Sequence, residues 1–256
     1  MKNFTKILIK KSFRELADLF GPTAIPSVAQ KNWSKASEVQ WKYFQENPQY
    51  FDNRAFDSTA AQKQFILGRA LEYSEQYEKV NYPFLNLFFK EDLRHKKVLH
   101  IASGIFADLL PYVEDKGLEY YLEDPLLKLL DQKMGYYSLF SKLCKDFCSL
   151  TAENIGEYYQ DQFFDYVICH NVLNHTYGPE QILDNIYSKL KIGGKIYLHH
   201  IDQDVEGTHP LRINKRQLLK YFQKKDLIPE YQSDYFYKNK VKKRHSFVLK
   251  KMGDSI

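Results

Sequence analysis

The sequence is poor in the residues that interrupt regular structure or cross-link a chain. Among its 256 residues there are 11 glycines, nine prolines and three cysteines. So little glycine and proline argues against a long disordered segment. Three cysteines without a CxxC pair provide neither a disulfide framework nor a zinc site. Free thiols fit a reducing compartment, so we predict a cytoplasmic protein without a bound metal.

Long hydrophobic runs are missing as well. No apolar run approaches the roughly 20 residues that a membrane-spanning helix requires. The apolar stretch at residues 7–9 is too short for the core of a secretory signal, and no small-residue cleavage site follows it. No motif of a nucleic-acid-binding module is visible either. From these absences we predict that the protein has no membrane span and no nucleic-acid partner.

The formal net charge of +5 is concentrated near the C-terminus. Seven Lys or Arg residues and no acidic residue lie between Lys238 and Lys251. Lysines on an exposed strand edge keep sheets from aggregating, which is the simpler interpretation. The alternative is that this cluster attracts an anionic substrate or a membrane surface.

The sequence pattern changes at Lys96. Before it the chain reads as helical: an amphipathic helix is predicted at Ser12–Phe20, and further helices at Ser34–Gln45 and Thr59–Glu78. After it short apolar runs alternate with helical stretches, which is typical of a parallel, doubly wound sheet with helices on both faces. We therefore predict a helical extension over residues 1–95 and a Rossmann-like domain over residues 96–256.

Up to Gln223, the predicted elements of this second part are five strands and four helices. The strands are Val98–Ile101, Leu118–Leu122, Asp146–Leu150, Phe163–Cys169 and Lys195–His200. The helices are Phe106–Asp115, Pro125–Lys133, Glu180–Leu190 and one that begins at an Asn214 cap and ends at Gln223. Gly193 and Gly194 are predicted to turn the chain before the fifth strand.

The C-terminus departs from the alternation of strands and helices. Ile228–Tyr237 and His245–Lys250 read as two strands that only a lysine-rich turn separates. Parallel neighbours need a crossover of about a dozen residues, so the last strand is predicted to be antiparallel. The predicted fold class is α/β: a Rossmann-like doubly wound sheet, mainly parallel, with an antiparallel C-terminal hairpin strand and an N-terminal helical extension.

A cluster of small residues follows the first predicted strand. A nucleoside ligand of this fold lies outside the carboxyl ends of the strands, and small residues let backbone and ligand approach closely. Asp124 lies about 20 residues beyond Gly104, directly after the second strand, where an acid can bind ribose hydroxyls. The alternative is a capping acid that the helix dipole stabilises. The loop residues are Ala102, Ser103, Gly104 and Ala107.

Taken together, the run from Lys97 to about Leu249 resembles a class I S-adenosylmethionine-dependent methyltransferase. Five segments in the family's order carry the resemblance: Ala102–Ala107, Glu123–Leu126, Thr151–Glu153, Asn171–His175 and Leu190–Ile196. The resemblance implies S-adenosylmethionine as the cofactor and S-adenosylhomocysteine as the product. It implies cofactor contacts from Ala102, Ser103, Gly104, Phe106, Glu123, Asp124, Ala152, Glu153, Asn171, Val172 and His175. It also implies that the helical extension is a lid that carries the site of a small-molecule acceptor.

The sequence departs from the family's pattern at three positions. Ala102 and Ala107 stand where the family has glycine, and His100 stands where an acid is usual near the end of the first strand. Each alanine adds a methyl group where the methionine part of the cofactor should lie. Weaker binding of the cofactor, or its loss, would follow.

Histidines are the candidates for a general base, which a hydroxyl acceptor needs. His175 follows the fourth strand, His200 ends the fifth and His209 lies in the next loop. His175 and His209 are the predicted catalytic residues, although His175 could instead pack under the cofactor.

Three functions fit these observations. The first is methyl transfer to a small molecule, with a hydroxyl of a sugar or secondary metabolite as the acceptor. The second is a non-catalytic scaffold of the same fold, which the two alanines favour. The third is a nicotinamide-dependent oxidoreductase, which the incomplete GxGxxG pattern and the C-terminal hairpin disfavour.

Overall fold

A single seven-stranded sheet organises the computed structural model, which describes Lys42 and residues 59–79, 83–104, 107–202, 204–205, 209, 211–236 and 243–253. The strand order is β3-β2-β1-β4-β5-β7-β6. The strands are β1 (Lys97–Ile101), β2 (Glu119–Glu123), β3 (Cys144–Cys148), β4 (Phe164–His170), β5 (Leu190–Asp202), β6 (Leu227–Phe236) and β7 (Lys243–Lys251).

The directions of the strands confirm the predicted sheet. β1 to β5 pair in parallel, whereas β7 lies antiparallel between β5 and β6. The chain leaves β1 towards β2 and β3 on one side, and it returns to β4 and β5 on the other. The strand order therefore reverses between β1 and β4, and ligands of open α/β sheets bind outside the carboxyl ends of the strands at such a point.

Helices cover the sheet on both faces. They are α1 (Thr59–Lys79), α2 (Pro83–Phe88), α3 (Val113–Lys116), α4 (Leu127–Met134), α5 (Tyr136–Phe140), α6 (Pro179–Lys189) and α7 (Lys215–Lys224). Short 3-10 helices occupy Leu110–Tyr112, Ala152–Glu157 and Leu173–His175. α1 confirms the helix predicted from Thr59. The helices predicted at Ser12–Phe20 and Ser34–Gln45 lie outside the described residues, except for Lys42.

Two hydrophobic clusters lie on the two faces of the sheet. One joins Ile66 of α1 and Phe88 of α2 to strand residues such as Val98 and Tyr120. The other joins Ile182 of α6 and other apolar residues of α6 and α7 to the opposite face. Because α1 and α2 share a core with the sheet, they pack directly on the Rossmann-like part. The division of the chain at residue 95 stays a prediction.

The structure corrects three predicted boundaries. Instead of one helix over Phe106–Asp115 it has a 3-10 turn at Leu110–Tyr112 followed by α3, because Ala107 adopts a left-handed φ of 44° that a helix cannot include. β3 begins at Cys144 rather than Asp146. β5 begins at Leu190 instead of Lys195, because its pairing with β4 continues through an irregularity at the glycines, where Gly193 has a φ of 77°.

Candidate functional site

The loop after β1 has a left-handed backbone at three positions. The φ angles are 49° at Ala102, 64° at Gly104 and 44° at Ala107. Glycine adopts such angles freely, whereas a residue with a Cβ pays roughly 1 kcal/mol or more. The loop therefore keeps the shape that glycines would give it, at a cost in strain at the two alanines. Among the described residues, none has an atom within 4 Å of a Cβ placed on Gly104.

The acids after β2 hold this loop from the neighbouring strand. Asp124 Oδ2 accepts a hydrogen bond from the Gly104 amide at 3.0 Å, and its Oδ1 accepts one from the Leu126 amide at 2.8 Å. Glu123 Oε2 accepts from the Ala102 amide at 3.0 Å. The structure thus brings together the glycine and the acid whose spacing predicted a nucleoside site.

Burial raises the pKa of both acids. Glu123 is fully buried, and desolvation together with the nearby Asp124 charge raises its pKa well above the usual range. Desolvation also raises the pKa of Asp124, although its two backbone hydrogen bonds oppose that shift. Of these two neighbouring carboxyl groups, Glu123 therefore has the stronger tendency to remain protonated.

Three buried polar atoms at the carboxyl ends of β1, β2 and β4 have no hydrogen-bond partner within the described part of the chain. They are Ser103 Oγ, Glu123 Oε1 and Asn171 Oδ1. A buried polar atom without a partner costs free energy, so an unsatisfied group in a native site calls for a ligand or water. S-adenosylmethionine carries ribose hydroxyls and an ammonium group, both of which donate to such oxygens. The residues present therefore fit this cofactor.

Glu153, one of the predicted cofactor contacts, also has a structural role. Its Oε1 accepts hydrogen bonds from the amides of Tyr177 at 3.0 Å and Gly178 at 3.2 Å. The carboxylate therefore shapes the loop after β4. Its neighbour Ala152 is buried in the core, as is Val172, so the side chains of these two predicted contact residues pack within the protein.

The two predicted catalytic histidines lie side by side. The ring centroids of His175 and His209 are 4.1 Å apart. His175 Nε2 lies 3.3 Å from Asn171 Nδ2, and Asn171 has a left-handed φ of 54°. His200 lies in the core, apart from this pair. Its Nε2 is 2.7 Å from the Ile213 carbonyl oxygen, and burial lowers the pKa of His200 to about 4. Phe106, a predicted cofactor contact, lies outside the described residues.

Sequence reasoning missed a second group of polar residues at this end of the sheet. His170, the last residue of β4, has Nδ1 3.7 Å from Asp108 Oδ2. On β5, His199 pairs in register with His170, and their ring centroids are 4.8 Å apart. His100 of β1 has Nδ1 2.6 Å from Tyr120 Oη. The position of His170 at the end of β4 was a usable signal, but its contact with His199 depends on the register of β4 with β5.

The family of the chain follows from this fold and from a match in sequence. Residues 142–246 match the model of a family described as a methyltransferase domain. Over these residues, less than half of its length, the chain is similar to that family. The match and the fold bear out the predicted resemblance to class I methyltransferases, whose methyl donor is S-adenosylmethionine. The match begins after β2, so the loop with the two alanines and Asp124 lie outside it. No curated protein is significantly similar to the chain in sequence.

Solved structures share the fold of this chain at low identity. The PH0226 protein from Pyrococcus horikoshii OT3 is 19% identical over 82% of this chain and 98% of its own, with a TM-score of 0.54. A Burkholderia thailandensis 1,6-didemethyltoxoflavin-N1-methyltransferase with bound S-adenosylhomocysteine is 12% identical over 71% and 88%, with a TM-score of 0.50. The [4+2]-cyclase SpnF is 14% identical over 62% and 76%, with a TM-score of 0.51.

Two features are absent from the part of the chain that the structure describes. Among the helices that the structure describes, none is long and apolar enough to cross a membrane. Within the same part of the chain, no group of three or more His, Cys, Asp or Glu side chains is placed to hold a metal ion.

Proposed function

We propose that this methyltransferase domain transfers the methyl group of S-adenosylmethionine to a hydroxyl group of a small molecule. The observation that carries the proposal is the contact between Asp124 Oδ2 and the Gly104 amide, with Ser103 Oγ and Glu123 Oε1 left without described partners beside it. In this fold a nucleoside cofactor binds where the strand order reverses, next to an acid that contacts a glycine-containing loop.

The proposed cofactor contacts lie after the ends of three strands. Glu123 and Asp124 after β2 are proposed to accept the ribose hydroxyls, and Ala102, Ser103 and Gly104 after β1 to face the methionine part. Ala152 and Glu153 would border the adenine through their backbone. The bound cofactor supplies a sulfonium methyl group, and methyl transfer gains much of its rate from alignment of the acceptor with that group.

The acceptor is proposed to approach from the ends of β4 and β5. Asn171, His175 and His209 lie there, and the His175–His209 pair presents two imidazoles to the same region. Because His175 Nε2 already faces the amide of Asn171, we assign His175 and His209 to positioning of the acceptor. A sugar or a secondary metabolite with a hydroxyl group is the proposed substrate class.

A non-catalytic scaffold is the second candidate, and one observation favours it. Ala102 and Ala107 carry methyl groups on left-handed backbone, which strains the loop that would surround the cofactor, although the Ala107 side chain is buried in the core. The likeness of the fold to a [4+2]-cyclase also supports the view that this architecture serves other purposes than methyl transfer. The nicotinamide alternative loses support from the antiparallel β7, which a plain dinucleotide-binding sheet lacks.

The first experiment is calorimetric titration with S-adenosylmethionine and S-adenosylhomocysteine, on the wild type and on Asp124→Asn. Wild-type binding is expected at micromolar strength. The variant should bind roughly tenfold to a hundredfold more weakly, because hydrogen bonds to a charged group contribute about 1.5–3 kcal/mol. Asp115→Asn, an exposed position on α3, is the matched control and should bind as the wild type does.

The circular dichroism spectrum of each variant shows whether it has folded. If a folded wild type binds neither ligand, the scaffold becomes the better description. If Asp124→Asn binds as tightly as the wild type, the assignment of the ribose site is wrong.

A further inference from the structure

A stripe of cations runs along the exposed side of α7. Arg216, Lys220 and Lys224 follow one another at intervals of four residues, so they lie on the same face of the helix, and all three are exposed. Lys215 and Lys225, at the two ends of the helix, each have a carboxylate oxygen 2.8 Å from Nζ. Within the described part of the chain, the three residues of the stripe form no such ion pair. Their charges are therefore available to an external anion.

An apolar groove lies beside the stripe, between α7 and the start of β6. Leu219, Ile228 and Met252 line it from three separate segments of the chain. Ile228 is 48% exposed and Met252 is 40% exposed. Gly253 also lines the groove, and a Cβ placed on it would lie 3.3 Å from Cγ2 of Ile192, which is 57% exposed. Three of the seven exposed large apolar side chains among the described residues thus meet at one place, and such a group marks an interaction surface.

The groove and the stripe form one continuous surface. Leu219 of the groove is three residues from Arg216 of the stripe, and residues at this spacing are neighbours on the surface of a helix. Gln223 of the groove is likewise three residues from Lys220. Among the described residues that line the groove, Asp226 is the only acid, and the three cations outweigh its charge. We name this surface the α7 corner; it consists of Arg216, Leu219, Lys220, Lys224, Ile228 and Met252.

The chemistry of the α7 corner fits an anionic bilayer better than a folded protein. Lysine is a compact, strongly hydrated charge that needs no fixed partner geometry, and two of the three cations are lysines. Protein interfaces draw most of their affinity from buried Trp, Tyr and Arg anchors, whereas the exposed apolar side chains here are isoleucine and methionine. Apolar side chains beside a face of Lys and Arg are typical of helices that lie in the membrane interface.

We propose that the α7 corner docks the protein reversibly on membranes that contain anionic lipid. The cationic stripe lies against the headgroups, and Ile228 and Met252 reach the boundary of the acyl chains. The inference goes beyond the proposed function and does not depend on it. β6 is an edge strand, and β4, β5 and β7 separate it from β1, so the docked protein keeps its candidate cofactor site clear of the corner.

Co-sedimentation of the full chain with lipid vesicles tests this proposal. One set of vesicles is phosphatidylcholine alone, and the other is phosphatidylcholine and phosphatidylserine in a ratio of about 3:1, which gives a negative surface potential. Binding is expected only to the vesicles with phosphatidylserine. High salt should abolish it, because salt screens the attraction between exposed charges.

The stripe variant combines Arg216→Gln, Lys220→Gln and Lys224→Gln. Each cation near an anionic surface strengthens binding about fivefold, so the loss of three should weaken binding to these vesicles roughly a hundredfold. The circular dichroism spectrum shows whether the variant has folded. Its affinity for S-adenosylhomocysteine, measured by calorimetry, should equal that of the wild type.

Two further variants separate local from general effects. The matched control combines Lys128→Gln, Lys142→Gln and Lys145→Gln, which remove the same charge from exposed positions on the β2–β3 side of the sheet. It should bind vesicles as the wild type does. Ile228→Thr together with Met252→Gln keeps every charge and should weaken binding several-fold, because the apolar contact with the bilayer is lost.

Several results would overturn the membrane role. They are no binding to vesicles with phosphatidylserine, equal binding to phosphatidylcholine alone, and an equal loss in the stripe variant and the control. Self-association that the stripe variant abolishes, without any binding to vesicles, would make the α7 corner an interface between two copies of the chain instead. A protein that binds vesicles as expected but not S-adenosylhomocysteine would contradict only the proposed function.

Discussion

At the scale of single residues, the two acids after β2 differ in how well their oxygens are satisfied. Each carboxylate oxygen of Asp124 accepts a backbone hydrogen bond, whereas Glu123 has one bonded oxygen and one buried oxygen without a described partner. Removing a carboxylate from water is costly unless hydrogen bonds replace the lost hydration. Burial of the Glu123 carboxylate therefore lowers the free energy of unfolding of the protein.

Replacement of Glu123 by glutamine should stabilise the protein in a pH-dependent way. The folded state raises the pKa of Glu123, so it binds this proton more tightly than the unfolded state does. Ionisation therefore reduces stability above the unfolded pKa and costs nothing below it. We expect Glu123→Gln to raise the free energy of unfolding at pH 8 by roughly 1.4 kcal/mol per unit of pKa shift, with no gain near pH 4.

Urea unfolding of both proteins at several pH values measures this difference. Glu114→Gln, at an exposed position of α3, serves as the control and should show no such dependence. If Glu123→Gln raised the free energy of unfolding equally at all pH values, removal of the charge would not be the cause of the stabilisation.

At the scale of elements, α7 has its beginning encoded in two side chains. The Asn214 side chain accepts from the Gln217 amide at 3.0 Å, while the Gln217 side chain accepts from the Asn214 amide at 2.8 Å. This reciprocal capping box satisfies donors that a helix start leaves unpaired. It fixes the helix that buries Leu218 and Phe222 against the sheet beside β6 and β7.

Asn214→Ala should destabilise the protein by about 1 kcal/mol, the usual cost of losing an N-cap side chain. Asn214→Asp keeps an oxygen in the same place and should retain most of the stability. Urea unfolding of the two variants provides the measurement. Equal losses in both would show that the cap hydrogen bond is not what the alanine removes.

In the loop after β1, by contrast, the local preference of the residues does not set the backbone conformation. Its alanines at 102 and 107 prefer right-handed backbone, yet both adopt left-handed angles. The hydrogen bonds from the Ala102 amide to Glu123 and from the Gly104 amide to Asp124 hold the loop in this shape. Contacts from the neighbouring strand have therefore overridden the local preference of the residues.

At the scale of the whole molecule, a cofactor that binds across the ends of β1, β2 and β3 should couple to global stability. A ligand at 100 times its dissociation constant stabilises the folded state by about 2.7 kcal/mol. For a chain of this size we expect S-adenosylhomocysteine to raise Tm by roughly 5–10 °C. Differential scanning fluorimetry measures the shift, with NAD+ as the control ligand.

The outcome discriminates among the functions that the fold allows. A shift with S-adenosylhomocysteine and none with NAD+ supports the methyltransferase assignment. A shift with NAD+ alone would favour the oxidoreductase, and no shift with either would favour the scaffold.

The sequence by itself determined the parts of this protein that depend on neighbours along the chain. Period and composition located the strands within a few residues, and the short basic turn after β6 required an antiparallel β7. The spacing from Gly104 to Asp124 predicted their contact, because one β–α–β unit brings the end of β2 beside the end of β1.

Only the tertiary structure decided which polar residues meet. Asp108 and His170 are far apart in sequence, and the register of β1 with β4 brings them within 3.7 Å. His199 and His200 are adjacent, but successive residues of a strand point to opposite faces, so one joins the site and the other the core. Strand pairing sets both results, and local sequence does not encode the register between strands.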